Sequence, residues 1–255
     1  MKRKDFIRKG IITGFSFGFL GKVLATDTGC NATPDETEGP FPTHHPSTLL
    51  TQNITSDRKG IPLIIHIAIL NTSKKCEGLQ NAIVDIWHCD SKGEYSEYGG
   101  KDEHGNGMPD TIRMPPPGAP AHDSLSGHPM PMFGGSMQAA DHQKEHFLRG
   151  RQITNKGGVV SFHSIYPGWY SGRAPHIHVH IYSSAGKSLL ITQVAFPEEI
   201  SKDVYTRNVY AAHGQPDTTN ATDMVFNDSI ANELATVTGN SKDGYVLKHS
   251  IYVKA

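Results

Sequence analysis

From Ile61 onward the chain carries short apolar runs separated by turn-forming residues. "IPLIIHIAIL", Ile61 to Leu70, is rich in β-branched residues and predicts a buried strand. "NAIVDIWHCD", Asn81 to Asp90, predicts a second, with successive side chains on opposite faces. "FLRGRQIT" and "VVSFHSIY" flank an "NKGG" turn, so residues 147–166 predict a hairpin. "HIHVHIY" and "SLLITQVAF" predict another around "SSAGK", and "GYVLKHSIYVK" predicts a closing strand. In "EEISKDVYTRNVYAA" the residues Ile200, Val204 and Val209 recur at roughly helical intervals. Residues 99–140 hold no period and are full of Gly, Pro and Met, which predicts one long loop. A loop of that size in a compact domain tends to be a lid or a disordered insert. The expected fold is mainly β: a β-sandwich with a long loop insert and a short helical segment near the C-terminus.

The first 25 residues follow another pattern. "MKRKDFIRKG" is basic, "IITGFSFGFLGKVLA" is largely apolar, and the segment ends in small residues. That is the order of an export signal, and "RKDFIRK" resembles the twin-arginine motif with Lys4 in the second arginine's place. The expectation is a signal at 1–25, a single domain at 26–255, and a periplasmic or extracellular destination. No apolar run is long enough to span a bilayer, so no stable membrane insertion is expected after signal removal. "TPDETEGPFP", Thr33 to Pro42, reads as an extended arm.

Charge and cysteine content narrow the function. The net charge is -1, which leaves no basic footprint for a nucleic-acid partner. Cys30, Cys76 and Cys89 form no CxxC pair and offer no zinc framework. A Cys76–Cys89 disulfide is compatible with an oxidising compartment.

Candidate chemistry concentrates in "IYPGWYSGRAPHIHVHIY", Ile165 to Tyr182. On a strand, His176, His178 and His180 share one face, and Ile177, Val179 and Ile181 share the other. The aliphatic face suits a core and the imidazole row suits a metal. Taken alone, H-x-H also occurs on solvated strand faces, in cupins and in copper/zinc superoxide dismutases. Tyrosine narrows the field. "YPGWY" precedes the histidine strand, its Pro-Gly turn able to bring Tyr170 back toward His176, and "WHCDSKGEY" carries a second tyrosine-bearing turn. Two phenolates with two imidazoles form a hard, anionic donor set that favours a trivalent iron over zinc or copper. Each phenol must lose a proton with a pKa of about 10, a shift of roughly 4 kcal/mol that a trivalent cation supplies. A secreted β-sandwich that binds metal or a phenolic ligand without turnover stands as the alternative. A cupin-like or superoxide-dismutase-like enzyme is another rival, and it would not need the tyrosines.

Several segments, in order, resemble the intradiol ring-cleavage dioxygenases, the protocatechuate 3,4-dioxygenase and catechol 1,2-dioxygenase group. "PDETEGPF" is similar to the family's N-terminal segment, and "IVDIWHCDSKGEY" to the strand and turn bearing its first tyrosine. "RGRQITNKGGVVSFHSIYPGWY" is similar to the stretch leading to the second, "RAPHIH" to R-x-x-H-x-H, and "ITQVAFP" to the closing strand. The resemblance implies non-haem iron(III), Fe(3+), held by Tyr95, Tyr170, His176 and His178, with Tyr95 preferred over Tyr98 and Tyr170 over Tyr166. It implies that Tyr170 acts as the base toward a catechol-type substrate, and that Arg173 and Gln193 stabilise charge on its ring. It implies cleavage between the two hydroxyl-bearing carbons with O2, giving a muconate-type dicarboxylic acid. Oligomers are compatible with this reading. The five residues between Tyr170 and His176 make a shorter link than the cytoplasmic enzymes carry, so their substrates do not transfer. His180 has no family counterpart and is expected to be structural, or at most to support the ligands from behind. "DEHGNG" has the look of a calcium loop without its closing acid, and a polar turn is expected there.

Overall fold

The computed structural model describes residues 30–100 and 140–255. The expected export signal at 1–25, with the start of the domain at 26, and nearly all of the 99–140 loop, "DEHGNG" included, lie outside those residues. Two sheets form the sandwich. One contains β1 (Pro62–Asn71), β2 (Glu77–Gly78), β5 (Val159–Ile165), β8 (Thr236–Asn240) and β9 (Gly244–Val253). In it β9 lies between β1 and β8, pairing parallel with β1, while β5 and β2 take the other side of β1. The second sheet has the order β4 (Arg149–Ile153), β3 (Ile83–Trp87), β6 (His176–Tyr182) and β7 (Ser188–Ala195), all antiparallel. The helices α1 (Glu198–Val204) and α2 (Ile230–Glu233) are short and near the C-terminus. Among the described residues no helix is long and apolar enough to cross a membrane.

The period-two pattern explains the core. Leu63, Ile65, Ile67 and Ile69 of β1 and Leu247 and Ile251 of β9 point inward, against Val84 and Ile86 of β3 and Ile177, Val179 and Ile181 of β6. All are essentially inaccessible, and each contributes about 2 kcal/mol of hydrophobic stabilisation. β1 is buried on this face only: Ile64 on the other is exposed, so the strand is amphipathic rather than wholly interior. β3 and β6 are buried on both faces. The reason is the N-terminal arm, which crosses the outer face of their sheet. It starts at the first sheet, where Thr33 N–H donates to Tyr252 O of β9, and reaches the second, where Glu36 N–H donates to Ile191 O of β7 and the Arg149 guanidinium to Phe41 O. A Cys30–Cys76 disulfide fastens the start of the arm to the β1–β2 connection.

Three expectations change. The disulfide pairs Cys76 with Cys30, not with Cys89. Cys89 is a buried free thiol beyond β3, packed with Phe41, Trp87 and Tyr95, whereas Cys76 lies at the far end of β1. The "NKGG" stretch turns as predicted, with Asn155 Oδ1 accepting from Gly157 and Val159 N–H. It joins no hairpin, however: β4 pairs with β3 and β5 with β1, so the turn carries the chain from one sheet to the other. β8 and α2 went unforeseen because "TVTGN" and "IANE" are too short and polar to show a period.

Candidate metal centre

β6 sets the centre by alternation. With Ile177 and Val179 in the core, His176 and His178 emerge on the outer face of the sheet, beneath the arm. Trp87, opposite His178 on β3, stacks on its ring at 4.9 Å and 2°. Gly39 of the arm closes on the same ring. A Cβ at Gly39 would stand 2.9 Å from His178 Cε1, and its φ of +69° also favours glycine. The imidazole is therefore clamped between an indole and a bare backbone.

The two tyrosines arrive on turns that interlock. After β3 the chain reverses around Asp90, whose Oδ1 accepts from Lys92 and Glu94 N–H. Gly93, with φ +85°, lets that turn approach the second: a Cβ there would lie 2.2 Å from Trp169 O. Gly168 answers from the other side, its N–H donating to Asp90 O at 3.1 Å with no room for a Cβ. Locked this way, the turns deliver Tyr95 and Tyr170 side by side, ring centroids 5.8 Å apart.

The four side chains share one space. Tyr95 Oη is 3.5 Å from His176 Nε2, and His176 Nε2 is 3.0 Å from His178 Nε2. The Tyr170 ring is 5.5 Å from that of His176. His176 Nδ1 donates to Ala174 O, which turns its Nε2 lone pair into this space. Burial pushes both imidazoles well below their usual pKa, with Arg173 adding to the effect at His176 and His176 itself adding to it at His178. Burial pushes Tyr95 well above the usual phenol range, helped by the neighbouring Tyr170. Tyr170 rises to about 12 by burial, with Arg173 pulling the other way.

A cation resolves these tensions. Two neutral imidazoles facing each other offer two lone pairs and at most one proton between them. A separation of 3.0 Å also suits two nitrogens held about 2.1 Å from one ion at roughly a right angle. Among the described residues no group of three or more His, Cys, Asp and Glu side chains is arranged to hold a metal. A cation here can draw on the two phenols as well as the two imidazoles, a donor set that suits a hard trivalent ion. The residues present fit ferric iron.

The remaining predicted residues lie alongside. Arg173 is buried and its Nη1 approaches Tyr170 Oη at 3.5 Å. Its Nη2 donates to Gln193 Oε1 at 2.6 Å, and Gln193 Nε2 donates to Thr37 O of the arm. Tyr98 turns away to donate to Pro42 O, and Tyr166 lies in the core with its hydroxyl on Ser201. His180 is bonded to Ser188 and Tyr182, with Glu38 beside it, and has no part in the cluster. Sequence reasoning missed Asp223, which accepts both from Arg173 and from the Ala174 N–H. It also missed the roles of Trp87 and of Phe41, whose ring stacks on Tyr95 at 4.5 Å. Gly39 and Phe41 belong to the "EGPF" run already singled out, whereas nothing in the sequence around Asp223 marks it.

No protein-family model and no curated protein matches the sequence. Solved structures do match. An intradiol ring-cleavage dioxygenase from Tetranychus urticae is similar at TM-score 0.66 and 25% identity, over 88% of this chain and 95% of that one. The dioxygenase domain of a dioxygenase carbohydrate-binding protein fusion from Streptomyces sp. SirexAA-E shares the fold at TM-score 0.55 and 21% identity, over 88% and 99%. The fold of 3-chlorocatechol 1,2-dioxygenase from Rhodococcus opacus 1CP is likewise similar, at TM-score 0.51 and 15% identity, over 88% and 73%. Across nearly all of its described length the chain shares the architecture of the intradiol ring-cleavage dioxygenases, which are oxidoreductases.

Proposed function

We propose that the chain is a non-haem iron(III) dioxygenase that opens a catechol-type ring between its two hydroxyl-bearing carbons, taking up O2 and yielding a muconate-type dicarboxylic acid. The observation that carries this reading is the convergence of two phenols and two neutral imidazoles in one buried space on β6 and its flanking turns. Tyr95, Tyr170, His176 and His178 would hold the ion. Ferric iron, when bound, supplies a Lewis acid that makes a chelated catecholate reactive toward O2.

The protein's own groups have separate tasks in this reading. Tyr95 is fully buried, stacked against Phe41, and suited to a permanent donor. Tyr170 is partly exposed and beside a guanidinium, so it is the phenol free to swing out and take a substrate proton on its Oη. Arg173, always cationic and held rigid, stabilises negative charge building on the ring, and Gln193 fixes the guanidinium from the other side. Phe41 and Trp87 keep water from the donors. An exported location is part of the proposal. It is supported by the signal-like N-terminus and by the Cys30–Cys76 disulfide, a bond that persists in oxidising compartments.

The test is oxygen uptake by ferric-loaded protein given catechol, protocatechuate or a larger caffeoyl-type phenol under air. Stoichiometric O2 consumption with a dicarboxylic product, and a broad visible phenolate-to-iron band, is the expected result. A coloured protein that binds catechols without consuming O2 would instead identify a binding protein, and a colourless metal complex would remove the phenols from the centre.

A further inference from the structure

Arg173 has three donor groups, and the structure accounts for each. Nη1 faces Tyr170 Oη and Nη2 is fixed on Gln193. The third, Nε, reaches Asp223, 3.0 Å from Oδ1 and 2.9 Å from Oδ2. Asp223 is itself fully buried and tied at both ends: Oδ2 accepts from Ala174 N–H at 2.7 Å and Oδ1 from Val225 N–H at 2.9 Å. Phe226, three residues on, places its ring 5.5 Å from the guanidinium carbon and 6.2 Å from the His176 ring. One coil segment thus holds the arginine through both its Nε edge and its guanidinium face.

We infer that Asp223 is a positioning residue for the ring-cleavage reaction, acting through Arg173. Resting on the functional reading above, the inference gives Asp223 no contact with substrate. Its carboxylate fixes the Nε edge, Gln193 fixes Nη2, and the plane so defined leaves Nη1 as the donor presented to the reacting ring. Arginine has four side-chain torsions, so without the Nε anchor the guanidinium would spread over several rotamers. A misplacement of about 1 Å in such a group costs on the order of 100-fold in rate.

The test uses the full-length, ferric-loaded chain with Asp223→Asn and Asp223→Ala, each also on an Arg173→Ala background. Asp223→Asn keeps one oxygen acceptor and the side-chain shape, so it decides the matter if Asp223→Ala fails to fold. The expected result is a kcat lowered about 10- to 100-fold with the catechol KM changed less than about threefold. On the Arg173→Ala background, Asp223→Asn should change kcat less than about twofold, because the residue it serves is gone. A loss that persists at full size without Arg173, or no loss in either single variant, overturns the inference. A readout free of turnover is the Arg173 Nε–H resonance of the metal-free protein, which should be slow to exchange in the wild type and fast in Asp223→Asn. An unchanged resonance also overturns it. A wild type that cleaves no ring would sink the functional reading and leave this resonance to decide the placement of Arg173.

Discussion

His176 and His178 present Nε2 to Nε2 across 3.0 Å, and Tyr95 brings its hydroxyl to 3.5 Å from the first. An ion that accepts electron pairs from all three suits that arrangement, so the two nearby tyrosines should behave differently on mutation. Tyr95→Phe is expected to weaken ferric binding by at least about tenfold and abolish turnover, whereas Tyr98→Phe, which loses its bond to Pro42 O, costs about 1 kcal/mol of stability. Metal content after dialysis, together with urea unfolding, separates the two. A second residue-scale prediction concerns Glu233. It is buried beside Glu36, with Ser229 donating to both carboxylates, and burial raises its pKa from the usual 4.5 to about 8, with Glu36 and Asp228 adding repulsion. Between those two values the folded chain holds a proton that the unfolded chain has released. The contribution of Glu233 to folding stability therefore falls as pH rises from 4.5 to 8. Glu233→Gln should flatten that fall, with a Tm above the wild type's at pH 8 and close to it at pH 4.5. A wild-type-like pH profile in Glu233→Gln would assign the slope elsewhere.

At the level of elements, the interlocked turns carry the most consequence for the site. Gly93→Ala places a methyl group 2.2 Å from Trp169 O on a residue at φ +85°, so the turn must retreat. The expected cost is about 2–4 kcal/mol, read by urea unfolding, with ferric affinity lost because Tyr95 moves with the turn. The strands that carry the site were readable for a simple reason. β6 alternates histidine with Ile and Val, and both faces of that pattern are satisfied, one by the core and one by the chemistry. The tyrosines were readable only as neighbours of turns. Their convergence depends on backbone approaches at Gly93 and Gly168 that no spacing rule encodes. Asp223 was invisible because its coil lies 50 residues from the arginine it holds. The β4–β5 turn misled for a related reason. Turn chemistry fixes a reversal of the chain, but the choice of partner strand is made by which apolar face is extended, and Val160 and Phe162 continue the inner face of β1 beside Ile67 and Ile65.

For the whole molecule, the arm and its disulfide decide how firmly the centre is covered. Cys30 and Cys76 close a loop with a sequence separation of 46, and the arm residues Gly39 and Phe41 lie within it. Reduction, or Cys30→Ser, should lower stability by about 2–4 kcal/mol through the freed denatured chain. The wild type under reductant and Cys30→Ser without it should unfold alike; a gap between them would mean that reduction acts elsewhere. The general sandwich was evident from strand periodicity. The pairing of Cys30 was not, since it depends on where the arm begins its crossing, and that is a property of the assembled sheets.

The placement of β9 has a bearing on biosynthesis. β9, the last described strand in chain order, occupies the middle of its sheet, hydrogen-bonded to β1 on one flank and β8 on the other. Until β9 has emerged from the ribosome, β1 waits with an open flank and the partner of β8 does not exist. A nascent chain in that state exposes a row of isoleucines and an unpaired strand edge, a template for aggregation. Premature stop codons anywhere before Gly244 should therefore yield insoluble product rather than a slightly shortened enzyme.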